Sequence, residues 1–380
     1  MNIAFDALPL ISDRMTGIGW CEAGQTTAMA RLHPENNYTY NFFSRKDDHI
    51  KLERLAPFTQ NIKPNLVHFS GYVYRAMSTF IPVPYSMFFG KNADITHFFN
   101  YIAPPAVHGR TVITVHDMVY KAFPETVRGR TKIMLNTGLK QSMKRADIIV
   151  TDSEFSRTEI IKYFPQHEKK IRVVPCGVDL RKFRPCENPE RIPEVKKSLE
   201  IDGDYFLYLG TIEPRKNLER LINAYHIFTQ RVKNPPKLVL AGGKGWLYDS
   251  IFQRVKDLNL SEQVIFTKYV PSADMNPLMC GALAFVFPSI YEGFGMPPLE
   301  AMACGVPVLS SDTASLPEVT GNCAVICDAY SEESISDGLH RLYSDKNLRD
   351  DLSRRGLKRA KDFTWEKSAE MLYKIYKEII

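Results

Sequence analysis

At 380 residues the chain is too long for one ordinary core and suits two domains of about 150–200 residues. Its 44% hydrophobic and 24% charged content is that of a soluble globular protein, and no apolar run approaches the ~18 residues of a membrane span. The net charge of +6 is lopsided: residues 1–180 hold 22 Lys and Arg against 16 Asp and Glu, whereas the remainder holds 27 of each. No nucleic-acid partner is expected. Seven cysteines without regular spacing suggest a reducing compartment, and Cys323 and Cys327, with no second Cys or His pair beside them, read as structural. The start, MNIAFDALPL, lacks a basic region followed by a long apolar one, so no signal peptide is expected. The expected location is cytoplasmic.

In chain order, NIAFDA reads as a strand, TGIGWCEAGQTTAMARL as a helix and YTYNFFS as a second strand. Tyr72 to Phe89 is rich in aromatic residues and Met (Tyr72, Tyr74, Met77, Phe80, Tyr85, Met87, Phe88, Phe89). It fits a core helix, an acceptor groove or a lipid-contacting surface, and the sequence does not choose among them. Strands follow at ADITHFF and TVITVHD. Arg128 to Arg145 then carries six basic residues and no acidic one on an amphipathic pattern (Ile133, Met134, Leu135, Leu139, Met143). Such a helix is either a solvated face or a rest for an anionic membrane surface. ADIIVTDS and KIRVVPCG complete the first series.

The pattern restarts after the Pro-containing stretch from Pro175 to Pro185. YFLYLGT, a helix at 217–231, KLVLAGG, QVIFTKYV, LAFVFPS, VPVLSSD and CAVICD alternate with helical segments, and Trp365 to Ile380 reads as a closing amphipathic helix. Alternation of this kind predicts parallel sheets with helices on both faces. The expected organisation is a domain over 1–180, a second over 181–362, and a C-terminal helix over 363–380 that packs back toward the first.

Ligands of such sheets bind at the carboxyl ends of strands, and the chemistry-bearing residues follow strands. Gly17-Ile18-Gly19 opens the first helix without the third glycine of a dinucleotide fingerprint. His116 and Asp117 end TVITVHD. Glu213-Pro214-Arg215-Lys216-Asn217 follows YFLYLGT; Arg offers a fork of donors to phosphate oxygens and Lys a mobile point charge. Gly242-Gly243-Lys244-Gly245 and Tyr269-Val270-Pro271 end the next two strands. Asp202-Gly203-Asp204 has a metal-binding spelling but precedes a strand, where turns collect Asp and Gly, so it reads as a turn and no catalytic metal is expected. The richest stretch is Glu292 to Val308, EGFGMPPLEAMACGVPV. Its glycines admit a ligand close to the backbone, its prolines suit a first helical turn, and a helix N-terminus attracts anions.

The string from Glu292 to Glu300 resembles the E-x7-E motif of retaining glycosyltransferases of GT-B architecture, in particular glycosyltransferase family 4. The Arg215-Lys216-Asn217 trio, His116, the Gly17-Ile18-Gly19 loop, TDSEFS at 151–156, VPCGVD at 174–179 and LPEVTG at 316–321 occur in the family order. The style is similar to bacterial mannosyl- and rhamnosyltransferases of O-antigen and capsule assembly. The resemblance implies two Rossmann-like doubly wound domains facing a central cleft, the first binding acceptor and the second a nucleotide-sugar. It places Arg215 and Lys216 on the donor diphosphate, with Phe294, Gly295, Gly17, Gly19, Gly243 and Lys244 near it. Val270 would meet the base through its backbone, Glu300 the ribose, and Glu292 and His116 the donor sugar.

The implied reaction is transfer of a hexose, mannose from GDP-mannose first, to a hydroxyl of a lipid-linked oligosaccharide, with retention of configuration and no cofactor or metal. Alternatives are a UDP- or dTDP-sugar-dependent transferase, a sugar-nucleotide 2-epimerase, and an inactive scaffold subunit. The inner-membrane surface and other assembly enzymes are further candidate partners.

Overall fold

The computed structural model describes every residue except Arg14, Pro82, Lys244, Trp246 and Leu247, and only the backbone at Tyr72, Ala76, Thr79 and Phe80. The chain forms two compact units, the first Met1–Gly177 with Thr364–Ile380 and the second Val178–Phe363. Unit 1 has seven strands: β1 (Asn2–Asp6), β2 (Asn37–Ser44), β3 (Lys63–His68), β4 (Ile95–Phe98), β5 (Arg110–Thr114), β6 (Ile148–Thr151) and β7 (Ile171–Val173). They lie in the order β3-β2-β1-β4-β5-β6-β7, every pair parallel. Unit 2 has six: β8 (Tyr205–Leu209), β9 (Lys237–Ala241), β10 (Val264–Lys268), β11 (Ala284–Phe287), β12 (Val308–Ser311) and β13 (Ala324–Cys327). Their order is β10-β9-β8-β11-β12-β13, again all parallel.

Helices cover both faces of a parallel sheet, so its inner strands are buried on both sides and read as continuous apolar runs. The pattern is plain in β8, β11 and β12, where every residue is buried. Each large apolar side chain so enclosed contributes about 1.5–3 kcal/mol. One strand has no such signal in the sequence. The edge strand β3 carries Pro64 and is exposed or half-buried throughout. Proline is tolerated at an edge because the missing N–H removes no inner ladder bond.

The terminal helix Trp365–Glu378 belongs to unit 1 and packs on the first helix, Gly17–Leu32. Its fit depends on Gly24: a Cβ there would lie 2.2 Å from the Trp365 ring. Buried polar contacts fix the helix further. Gln25 donates to Ser368 Oγ at 2.9 Å, Ser368 to the Pro175 carbonyl at 2.6 Å, and Tyr376 OH meets His97 Nδ1 at 2.6 Å.

The aromatic segment resolves largely into core. Tyr74 and Tyr85 are buried, and Phe88 and Phe89 pack against the same cluster, while Met77 and Met87 are exposed; the side chains of Tyr72 and Phe80 lie outside the described ones. The basic helix Gly129–Arg145 is similarly divided. Leu135, Leu139 and Met143 are buried, whereas Ile133 and Met134 face outward. No described helix is long and apolar enough to cross a membrane.

Candidate functional site

In open parallel sheets the crevice forms where strand order reverses, at the carboxyl ends of the two flanking strands. In unit 2 that point lies between β8 and β11. The residues after β8 are Glu213–Asn217, and those after β11 lead to Glu292 and the glycine loop. The fold therefore brings together two stretches about 76 residues apart in the chain.

The turn after β8 is held by Asn217. It adopts a left-handed conformation, φ 62°, for which Asn is better suited than most residues. Its buried amide donates to the carbonyls of Pro288 at 2.9 Å and Ala329 at 2.7 Å. Pro214–Lys216 form one short 3₁₀ turn, which aims the two cations at the neighbouring strand end. Arg215 Nη1 lies 2.8 Å from Glu292 Oε2, and Lys216 Nζ lies 2.6 Å from Glu292 Oε1. Arg215 Nε is also 2.6 Å from Glu213 Oε1.

Two cations and two carboxylates thus form one balanced cluster, with Glu213, Lys216 and Glu292 all buried. Burial by itself would raise the Glu292 carboxyl, but the charges of Arg215 and Lys216 outweigh it and hold it at about 2. Burial, aided by Arg215, lowers the Lys216 ammonium from its usual range, while Glu292 and Glu213 oppose that shift. Lys216 also sits 5.1 Å from the centre of the Phe287 ring. The sequence expectation placed Glu292 on a sugar and the cations on a diphosphate. In the structure Glu292 is ion-paired with both cations.

The loop after Glu292 is braced from outside the motif. Buried Ser315 donates its hydroxyl toward the carbonyls of Glu292 (2.9 Å) and Phe294 (2.7 Å). Gly295 has φ 111°, and a Cβ on it would lie 2.7 Å from Leu316, so both conformation and space require glycine. The helix Met296–Ala303 begins at once with two prolines, which remove two of the N–H groups a helix N-terminus would otherwise offer. No described group accepts a hydrogen bond from the backbone N–H of Phe294, Gly295 or Met296. Those three donors, rather than the whole first turn, are what the loop holds for an anion. The Phe294 ring turns away to pack edge-on against Phe363 at 5.7 Å, so its contribution here is backbone.

Glu300 contrasts with Glu292. It is half-buried and no described group donates a hydrogen bond to its carboxylate. Burial pushes it up to about 7, against the opposing charge of Lys182. Gly243 accepts from Ile212 N–H at 3.0 Å, tying the β9 end to the loop that leads into Glu213. Next to it, Gly242 at φ 144° would place a Cβ 1.9 Å from the Gly210 carbonyl, so that glycine serves close backbone packing. Lys244 lies outside the described residues. Val270 is buried just past the edge strand β10. Asp202-Gly203-Asp204 forms a bend before β8, at the end of that strand opposite to Arg215 and Lys216.

Unit 1 presents a second cluster. His116 follows β5 and is buried. Its Nδ1 lies 2.6 Å from Asp152 Oδ2, beyond β6, and its Nε2 lies 2.8 Å from the Phe99 carbonyl, beyond β4. Burial alone would lower the imidazole, but the Asp152 carboxylate overrides it and raises it to about 10. The ring is therefore an imidazolium at neutral pH with both N–H groups donated, and its own carbonyl accepts from Ser156 Oγ at 3.0 Å. Reaching a sugar hydroxyl through a ring nitrogen would require giving up one of these bonds. Gly17 is exposed at the start of its helix. Gly19 is buried, where a Cβ would lie 3.1 Å from the Pro9 carbonyl and 3.2 Å from Met15.

Glu213, Asp152 and Ser315 carry these two clusters and were given no role from the sequence. Asp152 had a usable signal, a carboxylate directly after a strand. Glu213 was quoted with its neighbours, and Ser315 had no signal.

Comparison with known proteins fits this picture. Residues 25–182 match the model described as Glycosyltransferase Family 4, and residues 191–359 match that of glycosyl transferases group 1. The chain is 36% identical over 271 residues to the O-antigen chain mannosyltransferase B of Escherichia coli, covering 70% of each protein. It is 30% identical over 250 residues to the O-antigen chain mannosyltransferase RfbU of Salmonella typhimurium, covering 66% of this chain and 64% of that protein. Among solved structures, Anabaena HepE in complex with UDP and glucose superposes with a TM-score of 0.75 at 16% identity, over 100% of both chains. At that identity the likeness speaks for the fold.

Proposed function

The chain belongs to glycosyltransferase family 4, and from that premise we propose that it transfers mannose from GDP-mannose to a hydroxyl of a lipid-linked glycan. The setting is O-antigen or cell-surface polysaccharide synthesis. Anomeric configuration is retained, and no metal assists the diphosphate. Mannose and the O-antigen setting rest on the names of the Escherichia coli and Salmonella relatives.

The observation that carries the reading is the Arg215–Lys216–Glu292 cluster at the strand-order reversal of unit 2, with three undedicated N–H groups following Glu292 in the chain. Glycosyl transfer develops positive charge on the sugar and negative charge on the departing diphosphate. Fixed donors stabilise such charge most in a water-poor site, where they need no reorganisation. Arg215, Lys216 and the N–H groups of Phe294–Met296 are the donors available for this. Glu292, ionised at any working pH, accepts hydrogen bonds from donor-sugar hydroxyls. The incoming diphosphate takes over part of its hold on the cations, so Glu292 is released for the sugar as the donor docks.

Glu300 accepts from the ribose hydroxyls, the usual task of a carboxylate beside a nucleotide. The protein works at the cytoplasmic face of the membrane. Exposed Ile133 and Met134 on the basic helix suit peripheral contact there.

The test is nucleotide release from GDP-mannose, UDP-glucose and dTDP-rhamnose, each with and without lipid-linked acceptor, in buffer containing EDTA. The expected result is acceptor-dependent GDP release that survives chelation, with the donor's anomeric configuration kept in the product. Release from another donor would reassign the base and sugar. A changed sugar nucleotide without acceptor would make the protein an epimerase, and silence with every donor would favour an inactive scaffold.

A further inference from the structure

The cluster around His116 has a chemistry that the transfer reaction does not use. One donor atom each from Cys21, His116 and Asp152 lies within 4.8 Å of the other two, and all three residues are buried. A fourth donor stands beside them, since Cys176 Sγ is 3.4 Å from Cys21 Sγ. The four come from the helix after β1 and from the segments after β5, β6 and β7, so the parallel sheet itself sets their spacing.

We propose that Cys21, His116 and Asp152, with Cys176 as a fourth donor, form a binding site for one zinc-like divalent cation. Thiolate sulfur, imidazole nitrogen and carboxylate oxygen are the ligand set that zinc takes in tetrahedral sites. The His116 ring is already oriented as a metal-bound histidine is. Its Nε2 is held by the Phe99 carbonyl at 2.8 Å, leaving Nδ1 to face Asp152. Backbone anchoring of the distal nitrogen is the usual outer-shell support for a ligating imidazole.

Asp152 links the cluster. Its Oδ2 meets His116 at 2.6 Å, and the Cys176 thiol hydrogen-bonds to the same carboxylate, so Asp152 already joins the donors to one another. Without metal, the proton on Nδ1 occupies the place the ion would take. The ion takes no part in the chemistry proposed for the diphosphate, so the site stands or falls separately from the transferase reading.

The test uses the full-length protein, stripped with chelator and titrated with Co2+. One equivalent is expected to survive desalting, with a thiolate-to-cobalt charge-transfer band and the visible bands of a tetrahedral site. Cys21→Ser should weaken the charge-transfer band, with Cys176 left as the one thiolate donor, and Asp152→Asn should weaken binding by at least about tenfold. Cys280→Ser, in unit 2, should leave the spectrum unchanged. Because a core variant can fail to fold, the wild type carries its own readout: one equivalent of Zn2+ should protect Cys21 and Cys176 from alkylation, read by peptide mass spectrometry. No retained Co2+, a band of unchanged intensity in Cys21→Ser, or equal alkylation with and without Zn2+ would overturn the site.

Discussion

Both units place buried ionised groups just beyond the carboxyl ends of parallel strands, but the two clusters are balanced differently. Around Glu292, two cations face two carboxylates, and one cation, Arg215, touches both. Around Asp152, one imidazolium faces one carboxylate. The first arrangement can exchange partners without leaving a bare charge, because an arriving diphosphate can replace Glu292 on the cations while Glu292 turns to a sugar. The second has no second cation, only the Cys21 and Cys176 thiols beside it. A buried charge left alone is costly, so the His116–Asp152 pair is rigid where the Arg215–Lys216–Glu292 cluster is adaptable.

That contrast can be broken in three ways. The largest expected effect is on stability. His116→Ala leaves Asp152 buried without its cation and should cost about 3–5 kcal/mol, measured by urea unfolding at pH 7. A loss below about 1 kcal/mol would mean the pair is not the rigid element described. The linkage has a definite sign. Because the folded His116 pKa is raised from 6.5 to about 10, its stabilisation is complete below about 6.5 and fades as pH rises through about 10. The variant's deficit should therefore shrink at alkaline pH.

Next in size is Lys216→Ala. It should lower turnover by on the order of a hundredfold, as for loss of one key electrostatic donor, with little change in unfolding because Arg215 still pairs Glu292. A near-normal rate would remove Lys216 from the diphosphate. The smallest effect belongs to Glu300, whose carboxyl titrates near 7. Nucleotide affinity should rise a few-fold between pH 6 and 8 as Glu300 ionises and accepts from ribose, and this slope should vanish in Glu300→Gln. A calorimetric titration with GDP at the two pH values separates the outcomes.

Local pattern and chain order were legible in the sequence where one strand or one loop carried the signal. The alternation of apolar runs and helical stretches announced two parallel sheets, and the string EGFGMPPLE marked the loop whose Gly295 is left-handed. Edge strand β3 escaped notice because it carries Pro64 and has no buried face to impose a period. The basic helix was legible only in part: its charge was visible, but which of its apolar residues were buried was not. Leu135, Leu139 and Met143 turn inward, and Ile133 and Met134 do not.

What the sequence determined by itself was the alternating α/β plan, the family resemblance and the strand-end position of each candidate residue, since these follow from hydrophobic period and glycine, proline and charge spacing along a contiguous stretch. Partnership was decided only in three dimensions. That Glu292 takes both Arg215 and Lys216, that Ser315 braces the glycine loop, and that Cys21, His116, Asp152 and Cys176 converge depends on which strands lie side by side. Strand order is a property of the packed sheet, and no local interval in the chain encodes the distance between residues that separate loops bring together.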